Sequence, residues 1–255
     1  MNCPGCGRSV MAASGGLDLL SDDSRDAADR FALAYRKLRT REGWADADGR
    51  EDPSGGNVRL WRSRFNSMSR AAAILRGELS PTNRPVIADV GSGGAWVAPL
   101  LTNADVLAID LMDIPARPGS VTVRADMRNL PLRNASIDAA LYAASLHYSP
   151  VENAVREAAR VLRPGGLMVT VDSPIYPDTH AQARASARST AYYAQAGFPQ
   201  LANHYYPIEA GVLHSALVAS GFDVIRLDGD RGLASAWRRL ARRPPSSLVV
   251  ARLSS

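Results

Sequence analysis

The sequence predicts an α/β fold built on a mostly parallel sheet, and three observations support this prediction. Short apolar segments alternate with helical ones from Arg84 onward, which is typical of buried strands joined by helices. The first such segment ends in a glycine-rich turn, Gly91-Ser92-Gly93-Gly94. The 255 residues, 46% of them hydrophobic, suffice for one large core or a core with a small cap. The candidate strands are Val86–Asp89, Val106–Ile109, Ser120–Arg124, Ile137–Tyr142, Leu167–Val171, Phe222–Leu227 and Leu248–Leu253.

Two helices precede the first strand and are expected to form an N-terminal helical cap over residues 21–80. Ser21-Asp22-Asp23-Ser24 is suited to start the first helix, and Gly43 to end it. The polar segment 46–57 reads as a linker. The second helix, about Val58 to Leu79, has one apolar stripe: Trp61, Phe65, Met68, Ala72, Leu75 and Leu79.

Residues 1–20 are expected to be a flexible tail, and it contains both cysteines of the chain, Cys3 and Cys6. Their CxxC spacing is half of a zinc site, and structural zinc needs four ligands. The nearest histidine is His147, so we expect no metal site within one chain. A zinc shared between two chains and a redox pair remain alternatives.

The charge and the hydropathy pattern favour a cytoplasmic protein. No apolar run reaches the roughly 18 residues of a membrane span, and the N-terminus lacks the apolar core of a secretion signal. The net charge is +5, with 29 arginines and the single lysine Lys37. The dense cluster Trp237–Arg243 favours a solvated helix face over a phosphate-binding patch.

The glycine-rich turn favours an adenosine ligand without a pyrophosphate. Ligands of open α/β sheets bind at the carboxyl ends of the strands. The turn lacks the lysine of a phosphate-binding loop, and Trp96 stands where a dinucleotide-binding loop has a small residue. Asp110 follows Asp89 by 21 residues at the end of the next strand, where a carboxylate can accept both ribose hydroxyls.

On these residues the chain resembles the class I S-adenosylmethionine-dependent methyltransferases. The run DVGSGGAW is similar to their first motif, with Asp89, Gly91 and Gly93 in place and Ala95 for the third glycine. The run IDL, the pair Asp126-Met127, the fourth-strand segment LPLRNASIDAALYAASLHYS and the segment EAARVLRPGGLMVTVD follow in the family's order. These motifs cover about a third of the chain.

The resemblance implies a Rossmann-like, doubly wound, mostly parallel seven-stranded sheet with a final antiparallel hairpin, here in residues 81–255. It implies S-adenosylmethionine as the cofactor and S-adenosylhomocysteine as its product. The residues assigned to the cofactor are Asp89, Gly91, Ser92, Gly93, Asp110, Leu111, Asp126, Met127 and Tyr142.

The acceptor is expected beyond the ends of the fourth and fifth strands. His147 is the candidate general base because imidazole titrates near neutral pH, with a purely structural role as the alternative. Tyr148 is a second candidate. Residues 173–210 form an insertion that suits a substrate-binding lid. Its tyrosines are the predicted substrate-pocket residues: Tyr176, Tyr192, Tyr193, Tyr205 and Tyr206.

These residues predict a methyltransferase that acts on a small-molecule substrate. The run Tyr142-Ala143-Ala144-Ser145 lacks the Asn-Pro-Pro-Tyr pattern that family members acting on base or amide nitrogens carry. An RNA methyltransferase is the alternative, favoured by the basic charge and the CxxC start. A third hypothesis is a cofactor-binding regulator without activity, since the motif residues serve binding. The oligomeric state, the methylated atom and the pathway stay open.

Overall fold

A computed structural model of the chain describes residues 11–12, 16–46, 51, 57–79, 84–115, 117–229 and 247–254. The strands are β1 (Met11–Ala12), β2 (Gly16–Asp18), β3 (Val86–Val90), β4 (Asp105–Asp110), β5 (Ser120–Arg124), β6 (Ile137–Ala143), β7 (Leu162–Val171), β8 (Ile175–Tyr176), β9 (Ile208–Glu209), β10 (Phe222–Gly229) and β11 (Ser247–Leu253). The helices are α1 (Asp22–Arg41), α2 (Val58–Glu78), α3 (Val151–Val161), α4 (Thr179–Gln195) and α5 (Ala210–Ala219).

Nine of these strands form one sheet in the order β1-β2-β5-β4-β3-β6-β7-β11-β10. The pairs from β2 to β7 are parallel, and β11 and β10 form the antiparallel hairpin at one edge. All seven predicted strands are therefore present, and the doubly wound α/β fold is confirmed. The chain order reverses between β3 and β6, which places a crevice at the carboxyl ends of these two central strands.

The sheet has two more strands than predicted, because part of the expected flexible tail joins it. β2 pairs in parallel with β5, with Gly16 opposite Thr122. A Cβ at Gly16 would collide with the carbonyl oxygen of Thr122, so the close approach needs glycine. Buried Asp18 lies at the end of β2 and pairs with Arg124. A strand of three residues is too short for its periodicity to be visible in the sequence.

The expected pairing of the first two helices as a cap is not confirmed. The apolar stripe of α2 packs on one face of the sheet, where Met68, Leu75 and Trp61 meet Ile87 and Val106. Helices α3 and α5 cover the opposite face. Only α1 lies with the insertion at the carboxyl ends of the strands, in a cluster that joins it to α4 and the 3-10 helix Pro199–His204. The helix α2 therefore belongs to the main core.

The sequence also predicts a capping box at Ser149-Pro150-Val151-Glu152, a helix end at Pro164-Gly165-Gly166 and a helix after the glycine-rich turn, and the structure corrects all three. Ser149 does not form a capping box, since α3 begins at Val151 after Pro150 and has no side-chain cap. The same helix ends at Val161, so Pro164-Gly165-Gly166 lies within β7 rather than between helix and strand. No α-helix follows the glycine-rich turn after β3; the chain continues as turns and a 3-10 helix, Ala98–Leu100. α2, which comes earlier in the chain, covers the face on which such a helix would pack.

Several predictions concern residues for which the structure gives no description, namely Cys3, Cys6 and Trp237–Arg243. In the described ranges, no group of three or more His, Cys, Asp or Glu side chains is arranged to hold a metal ion. None of the described helices is both long enough and apolar enough to cross a bilayer.

Replacing Leu75 by alanine tests the position of α2. Leu75 is 1% exposed in the core on that face of the sheet, so the cavity left by Leu75→Ala should lower the free energy of unfolding by about 2–5 kcal/mol. The neighbouring Arg76→Ala, at an exposed position, should change it by less than about 0.5 kcal/mol. Denaturant unfolding measures both. Equal, small effects would mean that α2 is a dispensable cap.

Candidate active site at the carboxyl ends of the central strands

A cavity of about 330 Å³ lies at the carboxyl ends of β3, β4, β5 and β6, where the chain order reverses. A volume of this size is within the range of small-molecule and cofactor sites. Its floor comes from the loops after these strands: Gly91, Gly93, Asp110, Leu111, Asp126, Met127, Ala143 and Ala144. Its walls come from α1, α2, the 3-10 helix Leu146–Tyr148, the insertion and one isolated residue: Phe31, Tyr35, Glu51, Arg64, Tyr148, His204 and Tyr206.

The glycine-rich turn donates its backbone amides within the protein. The amides of Gly91 and Ser92 both donate to the carbonyl oxygen of Ile109, at 2.8 and 3.1 Å. The amide of Gly93 donates to Asp110 Oδ2 at 2.8 Å. These three donors are therefore not presented to a phosphate, unlike those of a phosphate-binding loop. The geometry agrees with a ligand that has no pyrophosphate.

Gly91 and Gly93 have positive φ angles of 71° and 57°, which glycine adopts without steric cost. A Cβ at Gly91 would lie 2.5 Å from Ser145 Cβ at the end of β6. Ala95 stands where the family motif has glycine and also adopts a positive φ, 54°. Ala144, on the cavity floor, does the same at 57°. Such strain costs about 1–2 kcal/mol a residue and is common at functional sites.

Asp110 lies where the sequence predicts it, on the cavity floor at the end of β4. Its Oδ1 accepts from the amide of Met112 at 2.9 Å, and its Oδ2 accepts from Gly93. Burial raises the pKa of Asp110 to about 6, and these two hydrogen bonds oppose the rise. Each carboxylate oxygen has a second lone pair, so the side chain can also accept hydrogen bonds from a ligand's hydroxyl groups.

Asp89 is fully buried beside this floor, and neither of its carboxyl oxygens has a hydrogen-bond partner. Burial, and then the charges of Asp110 and Glu51, raise the pKa of Asp89 to about 8. The buried hydroxyl of Ser92 also has no partner. Buried polar groups in native proteins normally have hydrogen-bond partners. The missing partners of Asp89 and Ser92 therefore indicate that a ligand binds at this loop or that the Asp89 carboxyl is protonated.

Asp126 and Met127, which the resemblance assigns to the cofactor, line the far side of the floor. Arg128 lies between the cavity and solvent and holds the Asp126 carboxylate through its backbone amide, at 2.8 Å, and its guanidinium. Burial would raise the pKa of Asp126, but the hydrogen bonds from Arg128 outweigh it and lower the pKa. A carboxylate therefore stands at this end of the cavity at neutral pH.

The structure adds a buried polar network that the sequence did not suggest. Glu51, within the expected linker, is 7% exposed and accepts a hydrogen bond from the Tyr35 hydroxyl at 2.9 Å. Arg64 Nη1 lies 3.5 Å from the other Glu51 oxygen. The Tyr148 hydroxyl donates to Tyr35 at 3.4 Å and accepts from Arg39 at 3.1 Å.

Tyr148 of this network is already a candidate from the sequence, and Arg64 has a signal of its own. It lies three residues after Trp61 and four before Met68, so it is a charged residue within the apolar stripe of α2. Glu51 lies in a polar, turn-rich segment, and its neighbours in the fold come from other segments. Nothing in its local sequence distinguishes it from solvated surface.

His147 is not among the residues that line the cavity. It is 8% exposed, its Nδ1 lies 3.4 Å from Ser173 Oγ, and its ring packs against Tyr148 and Tyr205. Burial, and then the charges of Arg39 and Arg64, lower the pKa of His147 to about 3. The histidine is therefore neutral at physiological pH and supports Tyr148, which does line the cavity. This geometry favours the structural alternative over the general base.

The predicted tyrosines divide into one cavity residue and four others. Tyr206 lines the cavity. Tyr176 and Tyr205 face each other with their hydroxyls 3.4 Å apart. Tyr193, on α4, is buried in the cluster that joins this helix to α1, and Tyr192 is 40% exposed. Tyr142, assigned to the cofactor by the resemblance, instead lies in the core and donates to the Ala154 carbonyl at 3.2 Å. Strand alternation points its side chain to the sheet face covered by α3.

Comparison with known proteins agrees with this geometry. Residues 88–170 match the model of a family described as a methyltransferase domain. A solved structure of a geranyl diphosphate methyltransferase, in complex with GPP and sinefungin, superposes with a TM-score of 0.61 at 15% identity, covering 89% of this chain and 99% of that one. The class I fold predicted from the motifs is thereby confirmed.

Curated relatives also match part of this chain. Ribosomal RNA-processing protein 8 of Arabidopsis thaliana is 33% identical over 100 residues, which are 39% of this chain and 33% of the relative. The tRNA (carboxymethyluridine(34)-5-O)-methyltransferase of the same plant is 31% identical over 139 residues, 51% of this chain and 34% of the relative. The chain thus spans about a third of the length of these relatives.

The pKa of Asp89 gives a prediction for stability against pH. Its folded pKa, about 8, lies above the unfolded value of 3.8, so its contribution is fully present below about pH 4 and is lost as pH rises through 8. In Asp89→Asn this loss should be absent. As pH rises from 5 to 8, the free energy of unfolding of wild type should therefore decrease relative to that of Asp89→Asn, by up to about 1.4 kcal/mol per pH unit.

Denaturant titrations across this pH range measure the difference. The exposed Thr102→Ala is the control because it changes no charge. A difference between Asp89→Asn and wild type that does not vary with pH would show that Asp89 is ionised in the folded protein.

Proposed function

We propose that this chain, which carries a class I S-adenosylmethionine-dependent methyltransferase domain, binds S-adenosylmethionine in the cavity at the ends of β3–β6 and methylates a small-molecule acceptor. One observation carries the proposal. The glycine turn, Asp110 and the pair Asp126-Met127 follow three different strands, yet all of them line one cavity. Residues of motifs that are separate in the sequence thereby form a single site of suitable size.

The donor groups of the site suit an adenosyl ligand. Asp110 would accept from the ribose hydroxyls, and Leu111, Asp126 and Met127 would flank the adenine. The turn at Gly91–Gly93 lines the same cavity and would meet the amino-acid end of the cofactor. The amides of the turn are engaged within the protein, which agrees with the lack of phosphate in this ligand.

When bound, the cofactor supplies an electrophilic methyl group on a sulfonium. The contribution of the chain is to position the acceptor and exclude water, since in-line displacement depends on alignment. Tyr148, held by Arg39 and Tyr35, is rigidly placed to contact the acceptor. His147 positions Tyr148 by ring contact, with centroids 4.4 Å apart. A base is needed only for an acceptor that binds protonated.

A small acceptor is favoured by the way in which the walls are built. α1 and the 3-10 helix Pro199–His204 pack on each other across the strand ends, and Phe31 and His204 have ring centroids 4.6 Å apart. Aromatic side chains from both elements therefore face the cavity. Walls of this kind suit a compact, partly apolar molecule.

An RNA acceptor is the second candidate, and the curated relatives favour it. Those described above have RNA in their names, and the chain has a net charge of +5. A single base turned out of an RNA strand could enter a cavity of this size.

The first test concerns the cofactor. Asp110→Asn removes the charge that would accept from the ribose, and hydrogen bonds to charged groups contribute about 1.5–3 kcal/mol. Titration calorimetry with S-adenosylhomocysteine should show affinity about 10- to 100-fold below wild type. Asp105→Asn, at the exposed start of the same strand, is the control and should bind like wild type. Equal affinity of all three proteins would place the ligand elsewhere.

The second test concerns the acceptor. Enzyme and methyl-labelled S-adenosylmethionine are added to a cell extract, and small metabolites and total RNA are then separated and examined by mass spectrometry. The proposal expects label in a small metabolite. Label in RNA, with RNA binding that weakens steeply as salt rises, would establish the second candidate instead. Cofactor binding without labelling of either fraction would favour a non-catalytic regulator.

A further inference from the structure

Glu51 holds a position against the glycine turn that the cofactor motifs do not explain. A Cβ at Gly93 would lie 2.6 Å from Glu51 Oε2, and a Cβ at Gly94 would collide with the Glu51 carbonyl oxygen. The small residues of the turn are thus needed for Glu51 to approach, as well as for a ligand. The Glu51 side chain is only 9% exposed, and it lines the cavity.

The surroundings of Glu51 are rich in negative charge. Asp110 and Asp89 are both buried nearby, and the charge of Glu51 contributes to the rise in the pKa of each. The cation that lies against it is Arg64, at 3.5 Å. A charge-assisted pair of this type is normally about 2.7–2.9 Å long, so the contact is loose. A buried carboxylate in this environment gains from an additional cation.

Arg64 is also placed toward the cavity. Its side chain is 10% exposed, and its guanidinium carbon lies over the rings of Trp44 and Trp61, with distances to the ring centroids of 5.2 and 5.3 Å. These aromatic contacts fix the plane of the guanidinium without consuming its hydrogen-bond donors. An anionic side chain against Gly93 and a cationic side chain 3.5 Å from it therefore line the same cavity.

Such a pair has the charge pattern that recognises a zwitterionic amino acid. We infer that Glu51 accepts hydrogen bonds from the α-ammonium group of S-adenosylmethionine and that Arg64 binds its α-carboxylate. The inference rests on the proposed function, since it concerns the amino-acid end of the same ligand. Tyr35 is then a positioning residue, because its hydroxyl holds Glu51 Oε1. The segment between β2 and β3 thus selects the intact amino-acid end of the cofactor.

Three adenosyl probes separate the two roles by titration calorimetry. S-adenosylhomocysteine carries both groups, its decarboxylated form carries the amine alone, and 5′-methylthioadenosine carries neither. Glu51→Gln should weaken binding of the first two probes about 10- to 100-fold and leave the third within about twofold. Arg64→Met should weaken only S-adenosylhomocysteine. Glu152→Gln, at an exposed position in α3, is the matched control and should bind all three like wild type.

The third probe also reports folding, because a misfolded variant would lose affinity for all three. Equal weakening of every probe by Glu51→Gln would make Glu51 structural and overturn the inference. Tighter binding of S-adenosylhomocysteine would mean that the carboxylate obstructs the ligand, and would overturn it as well. If wild type binds none of the probes, the proposed function fails. If wild type binds all of them and the variants do so equally, only the inference fails.

Discussion

The two oxygens of the Asp110 carboxylate accept hydrogen bonds from the amides of Gly93, at 2.8 Å, and Met112, at 2.9 Å, and the site depends on this bridge. It ties the turn after β3 to the end of β4, so two neighbouring strand ends hold one geometry. Because the bridge uses backbone donors, a buried carboxylate is kept without a cation on it. The remaining lone pairs face the cavity and are available to a ligand.

Burial raises the pKa of both Asp89 and Asp110, and neighbouring carboxylates add to the rise: Asp110 and Glu51 for Asp89, and Glu51 for Asp110. The loop region is therefore short of positive charge before a ligand enters. S-adenosylmethionine carries a sulfonium and an ammonium, so its binding would relieve the repulsion, whereas the product keeps only the ammonium. The negative charge around the cavity thus favours binding of S-adenosylmethionine over binding of its product.

The fold could be predicted because each strand carries its own signal. The apolar runs from Val86 to Val171 are buried on both faces, and each ends in a turn, so periodicity and glycine placement locate them. The same reasoning missed β2, whose three residues join the sheet only because β5 offers an unpaired edge. It also placed α2 in a cap. An apolar stripe shows that one face of a helix is buried, but it does not show which part of the protein covers that face.

The sequence by itself determined the order of the motifs along the chain and the position of Asp110 at the end of its strand. It also indicated that the glycine-rich turn suits an adenosine ligand without a pyrophosphate. These features depend on spacing within one strand–turn unit. Only the tertiary structure decided which side chains share the cavity. It brought Glu51 beside Gly93 and Arg64 to the same cavity, placed the Tyr142 side chain in the core and kept His147 out of the cavity, packed against Tyr148. The reason is physical: local patterns specify elements, whereas burial and charge pairing between distant segments follow from how those elements pack.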